Sequence, residues 1–164
     1  MIDRLREGPL VSILISSWVL CSPFSLFAEN IAGRVVGVLD GDTIEVLHNQ
    51  RPQRIRLKGI DCPEKGQAYG TKAKQVTSEL VFGKEVTLET HGLDKYGRTL
   101  ADVSLADGIN VNLELVRTGS CWWYQQYAPN NVVLAELQRR ARRAGLGLWG
   151  DPDPVPPWEW RKRK

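Results

Sequence analysis

Between Gly33 and Ile60 the chain is cut into three short β-forming runs, GRVVGVLD, DTIEVL and RIRLKGI, separated by Asp40-Gly41 and by the polar, proline-bearing HNQRPQ. Runs this short, broken by turn formers, leave little room for anything but a meander of three strands. The next segment changes period. In AYGTKAKQVTSELVFG the apolar residues Ala73, Val76, Leu80 and Val81 fall near one helical face, and Gly83 supplies the stop. KEVTLET and GRTLADVSL return to alternation as a fourth and a fifth strand, with HGLDKY between them. Asn110 is placed to cap a short helix with Val111, Leu115 and Val116 inward, ending at Gly119. Asn130 or Asn131 caps a last helix with the stripe Val133, Leu134, Leu137 and Ala141, stopped by Gly145. Five strands with one helix after the third and two more behind predict an α+β fold: a five-stranded barrel of the oligonucleotide-binding (OB) type with three packed α-helices.

The 164 residues hold one such domain and two ends. Residues 1–28 read as an export signal: Arg4 and Arg6 precede an apolar run from Leu10 to Leu20, Pro23 interrupts, and Ala28 offers a small residue for cleavage. The expected location is therefore periplasmic or extracellular, the alternative being an uncleaved N-terminal anchor. The domain is expected over 29–150 and a Pro/Trp-rich basic tail over 151–164. That tail, with Pro152, Pro154, Pro156 and Pro157 and no period, is expected to be extended, its Trp158 and Trp160 lying on the domain or awaiting a partner. Export would leave Cys62 and Cys121, either one disulfide or two separate buried thiols. His48 and His91 stand alone, and no CxxC is present, so no zinc pattern arises.

A net charge of +3 barely points to an anionic partner. Basic residues nevertheless cluster. Arg139, Arg140, Arg142 and Arg143 lie mainly off the inner stripe of their helix and read as a solvated face; Arg161–Lys164 close the chain as a solubilising end or a weak, salt-sensitive contact for nucleic acid.

The chemistry concentrates at strand ends. Asp42 in LDGDT and Asp61 and Glu64 in IDCPE are carboxylates that repel one another if they meet, and a hard divalent cation relieves them with oxygen ligands alone. Arg56, and Arg98 in DKYGR, each carry a fork able to hold two phosphate oxygens. Together these residues supply what phosphodiester hydrolysis asks for: a polarising cation, a base for water, and positive charge for the transition state. One obstacle is parity, since Arg56 and Asp61 would point to opposite faces of an unbroken strand. Gly59 offers a bulge or bend that re-aims the chain.

LDGDTIEV, RIRLKGIDCPE, DKYGRTLADV, VNLELVRTG and YAPNN, in this order and at these intervals, resemble the staphylococcal nuclease (thermonuclease) family over roughly residues 33–149. The resemblance implies the five-stranded barrel with three helices and a calcium-dependent endonuclease acting on DNA and RNA, single-stranded or locally opened, as a monomer. It makes Asp42 and Asp61 the carboxylates for Ca2+, joined by the Cys62 backbone carbonyl, and Arg56 and Arg98 the phosphate-binding arginines. Glu64 becomes the general base, and products keep 3′ phosphates. Tyr127 is implied to line the nucleotide pocket, and Tyr96 either lines it too or is a core aromatic. Two positions depart from the family pattern: Cys62 replaces a threonine, and Gln125 replaces a tyrosine. The rival class is a non-catalytic OB module that only binds single strands.

Overall fold

The computed structural model describes residues 30–163; the expected export signal lies outside them, as does Lys164. Five strands close into a barrel: β1 (Asn30–Asp40), β2 (Thr43–His48), β3 (Arg51–Leu57), β5 (Glu85–Leu93) and β6 (Thr99–Leu105), in the order β1-β2-β3-β6-β5. The meander β1-β2-β3 is antiparallel, and the barrel is closed by a parallel pairing of β3 with β6 and an antiparallel pairing of β5 with β1. A second pair, β4 (Ile60–Asp61) with β7 (Trp122–Trp123), was not expected; both strands are only two residues long and carry no period of their own. The fifth-strand motif begins later than its sequence pattern, at Thr99, and β5 runs on to Leu93 through part of the expected loop.

The barrel interior is filled by Ile44, Val46, Ile55, Leu57, Leu88 and Val103, all fully buried. Three helices cover it: α1 (Gly70–Val81), α2 (Val111–Arg117) and α3 (Val132–Arg143). Asn110 caps α2 by accepting from the Leu113 N–H at 3.0 Å, and Asn131 rather than Asn130 caps α3 through the Leu134 N–H at 3.0 Å. Along α3 the inward residues are Leu134, Leu137 and Ala141, but Val133 is half exposed, one position round the helix from the expected stripe. Arg139 and Arg140 both pair with Glu136, and Arg142 lies 5.5 Å over the Trp149 ring, so three of the four arginines are engaged within the domain while the face keeps a net positive charge.

Cys62 and Cys121 form a disulfide that ties the end of β4 to the start of β7. The tail is not extended. After a 3-10 turn (Gly147–Gly150) it crosses the domain and folds into the short helix α4 (Pro157–Trp160), followed by a second 3-10 turn. Trp158 stacks on Tyr124 (centroids 5.1 Å apart, planes 3° off parallel) and meets Trp122 edge-on at 5.6 Å. Aromatic burial of this kind outweighs the lack of any hydrophobic period in the sequence. No helix among the described residues is long and apolar enough to cross a membrane.

Candidate active site

The acidic and basic residues singled out above meet at one end of the barrel because three backbone devices bring them there. First, the Asp40–Thr43 turn places Asp42 beside β3, and α1 pins that turn: the buried Thr77 hydroxyl donates to the Gly41 carbonyl at 2.6 Å. A Cβ on Gly41 would lie 2.6 Å from the Cys62 Cβ, so only glycine lets the turn pack onto the disulfide. Second, β3 stops at Leu57 and Gly59 takes φ +75°, which turns the chain into β4. The device is thus a turn between two strands rather than a bulge within one. Third, Asn112 of α2 spans the gap, donating to the carbonyls of Lys58 (3.0 Å) and Ala101 (3.1 Å) and accepting from the Val103 N–H (3.1 Å).

Arg56 is the hub. Its Nη2 lies 3.0 Å from both Asp42 Oδ2 and Asp61 Oδ1, while Nη1 donates to the carbonyls of Leu57 (2.7 Å) and Ile60 (2.8 Å). The two carboxylates are therefore drawn to a single nitrogen, and both are buried. Burial pushes the Asp42 carboxyl up to about 7, against the pull of Arg56; Asp40 and Asp61 add to the rise, and the Cys62 N–H, which donates to Asp42 Oδ2 at 2.8 Å, opposes it. The Asp61 carboxyl is also raised by burial, although guanidinium contacts from Arg161 and Arg56 work the other way.

Arg98 precedes β6 and is aimed by Asp94, which takes its Nε and Nη2, each at 2.7 Å. The cost of burial at Asp94 is outweighed by the N–H groups of Arg98 and Tyr96 and by the Arg98 guanidinium, which together hold its carboxyl below the ordinary range. The free edge of Arg98 reaches Thr43 Oγ1 at 3.4 Å, and that hydroxyl donates to Asp42 Oδ1 at 3.2 Å. Glu64 leaves β4 after Pro63 and is part exposed; its N–H donates to Gln67 Oε1 at 2.9 Å. Tyr96 is exposed, with Arg98 5.4 Å above its ring, and Tyr127 is exposed with its ring edge against Tyr124 at 4.7 Å. Both are therefore open to a ligand rather than part of the core.

Four contributors escaped the sequence reading. Asn112 could have been found, because it is a polar residue on the buried face of α2. Asp94 and Gln67 look like ordinary loop residues. Arg161 lay inside a run read only as bulk charge, yet its Nη2 donates to Asp61 Oδ2 at 2.8 Å and its Nη1 to Glu64 Oε1 at 2.6 Å. His91 is also not isolated: its Nε2 lies 2.8 Å from Asp102 Oδ2 and its Nδ1 3.0 Å from Lys58 Nζ. Glu89, His91 and Asp102 offer ligand atoms within 4.8 Å of one another, and the Lys58 ammonium stands beside them, 4.0 Å from Asp102 Oδ2.

The model of the family described as "Staphylococcal nuclease homologue" matches residues 54–151, from β3 to the start of the tail. The chain belongs to the staphylococcal nuclease family. Three of its relatives cover most of the sequence. A protein of Escherichia coli named "Uncharacterized endonuclease" is 49% identical over 156 residues, covering 95% of this chain and 97% of the relative. A "Micrococcal nuclease" of Shigella flexneri is 42% identical over 139 residues, 79% of this chain and 80% of the relative. "Protein ParB" of Escherichia coli is 38% identical over 167 residues, 96% and 90%. As a staphylococcal nuclease family member the chain keeps the expected closed five-stranded barrel and adds a fourth helix, α4, from its tail.

Proposed function

We propose that this protein is an exported, calcium-dependent endonuclease that hydrolyses phosphodiester bonds of DNA and RNA and acts as a monomer. The observation that carries the reading is the single Arg56 nitrogen 3.0 Å from both Asp42 and Asp61, with Glu64 three residues further along. A protein that only holds polyanions gains nothing from three acids gathered at its site.

The donor set fits calcium. Asp42 and Asp61 offer carboxylate oxygens, and the Cys62 peptide, already bonded to Asp42 through its N–H, offers a carbonyl. The Cys62 sulfur is committed to the disulfide, so no soft ligand competes. Two buried, mutually repelling carboxylates are also groups whose ionised form a cation would favour. When bound, the ion would polarise the scissile phosphate and offset its charge.

Glu64 would accept the proton of the attacking water, whose oxygen bonds to phosphorus as the bond to the 5′ oxygen breaks; the departing oxygen takes up a proton from solvent, leaving a 5′ hydroxyl and a 3′ phosphate. Arg98, held in plane by Asp94, would present its remaining edge to the phosphoryl oxygens, and Arg56, whose Nη hydrogens are taken by Asp42, Asp61 and the carbonyls of Leu57 and Ile60, would add its positive charge from the floor of the site. Tyr96 and Tyr127 would offer exposed faces to the sugar and base. The disulfide supports an oxidising destination and hence export.

The test is digestion of DNA and RNA with calcium and then with a chelator. Cleavage of both that stops on chelation is expected; cleavage indifferent to the chelator overturns the cation role, and binding without cleavage identifies a binding module instead.

A further inference from the structure

The tail brings a residue into the site from the far end of the sequence. Arg161 forks across the acids proposed to hold the cation and to act as base: Nη2 to Asp61 Oδ2 at 2.8 Å, Nη1 to Asp61 Oδ1 at 3.3 Å, and Nη1 to Glu64 Oε1 at 2.6 Å. These contacts raise the guanidinium pKa, first through Asp61 and then, against desolvation, through Glu64, so Arg161 stays charged at any working pH.

The placement does not depend on those ion pairs. Pro157 is buried, Trp158 stacks on Tyr124 and meets Trp122, and Gln67 Nε2 donates to the Val155 carbonyl at 2.7 Å. One turn of α4, closed by the Glu159 and Trp160 N–H groups on the Pro156 carbonyl at 3.0 Å, then points residue 161 back to the acids. Gln67 also binds the Glu64 N–H, so the strap and the Glu64 loop share one anchor. The next cation along, Lys162, turns away to Glu159 at 2.8 Å.

A tethered guanidinium held on both oxygens of Asp61 competes with a divalent cation for them. Both carry positive charge, and Arg161 reaches both oxygens of Asp61, sharing Oδ1 with Arg56. We propose that Arg161 is an intramolecular occupant of the cation site, a counter-charge presented by the C-terminal strap that calcium must displace from Asp61 and whose departure also uncovers Glu64. The idea rests on the cation site proposed above. Because the aromatic seats hold the strap, release needs only a side-chain rotation of Arg161, and the tether makes the guanidinium a competitor of high effective concentration.

Chelator-stripped wild type, Arg161→Gln and Lys162→Gln are titrated with calcium by calorimetry at one ionic strength, with near-UV circular dichroism confirming the fold. Arg161 is well exposed, so after discounting for solvent screening Arg161→Gln is expected to bind calcium roughly two- to fivefold more tightly. Lys162→Gln, which removes the same charge one residue away, is expected to match wild type. Unchanged or weaker binding in Arg161→Gln overturns the inference, as does an equal gain in Lys162→Gln, which would reduce the effect to net charge. Wild type gives a second readout that needs no variant: the Arg161 guanidinium resonances in 15N NMR should shift on calcium addition, and resonances unmoved by bound calcium overturn displacement. If neither wild type nor Arg161→Gln binds calcium, the cation site itself falls and this inference with it, whereas equal binding by both removes the inference alone.

Discussion

Arg56 and Asp61, five residues apart in one stretch of chain, form a 3.0 Å ion pair because Gly59, at φ +75°, turns the backbone between them. On an unbroken strand their side chains would diverge to opposite faces. The turn brings Asp61 back over β3, where Asp42 arrives from the neighbouring hairpin and shares the same guanidinium nitrogen. One arginine thus fixes the spacing of two acids whose repulsion would otherwise push them apart, and the site is preorganised by the fold. A side chain at position 59 would be strained by the positive φ and would press on Leu134 and Ala128.

Glu64 is proposed as the base, and the isosteric Glu64→Gln change isolates that role. Gln keeps the size of the side chain but takes no proton, so turnover should fall ~100- to 10,000-fold while affinity for an oligonucleotide changes little. Steady-state cleavage of a fluorogenic oligonucleotide, with binding followed separately by anisotropy, measures both; turnover at the parental rate would remove Glu64 from the chemistry.

Arg98→Lys keeps a positive charge at the entrance to β6 but gives up the planar fork that Asp94 aligns. Loss of one preorganised donor set at a developing anion typically costs ~100-fold or more in turnover, and that is the expected drop. Asp94→Asn can still accept from the Tyr96 and Arg98 N–H groups (2.8 and 2.9 Å) while losing the ionic hold on the guanidinium, so it should fall in the same direction by less. Lysine supporting full activity would show that bidentate contact is unnecessary.

Much of this arrangement could be read in advance, because alternation and turn formers are local signals. The three meander strands, the caps Asn110 and Asn131, and the glycine bend at 59 all act within a few residues of themselves. The pairs β4 and β7, by contrast, are two residues each and exist only because the barrel and the disulfide bring them together. Arg161 is the extreme case: its partner Asp61 lies 100 residues away, and in RKRK nothing distinguishes a buried contact from a solvated charge. The tail is folded rather than extended for a related reason: Trp158 does lie on the domain, one of its two expected placements, and the order comes from its contacts with Tyr124 and Trp122 rather than from any period along the tail itself.

The disulfide closes a long loop, with 59 residues of separation between Cys62 and Cys121. The chain-entropy account gives a cross-link over a loop of that size about 4 kcal/mol, and both half-cystines are buried. Replacing the pair by alanine should therefore lower unfolding free energy by roughly 2 to 5 kcal/mol in urea, enough to threaten a small domain. A loss below ~1 kcal/mol would mean that the ends of β4 and β7 are held as well by packing alone.

Asp42 gives stability a pH dependence that can be signed. Its carboxyl rises from the ordinary 3.8 to about 7 in the fold, so ionising it is harder in the folded protein than in the unfolded one. The stability lent by the retained proton is complete below about pH 4 and is lost as the pH climbs through about 7. Asp42→Asn removes this titration and can still accept from the Cys62 N–H. In chelator-treated protein, urea unfolding should thus show wild type losing stability relative to Asp42→Asn between pH 4 and 7 by roughly 2 to 4 kcal/mol, with no further divergence above that range. Calcium should erase the difference by favouring the ionised acid, and Asp42→Asn should gain nothing from the ion. Parallel stability curves from pH 4 to 8 would mean that Arg56 already compensates the buried charge in full.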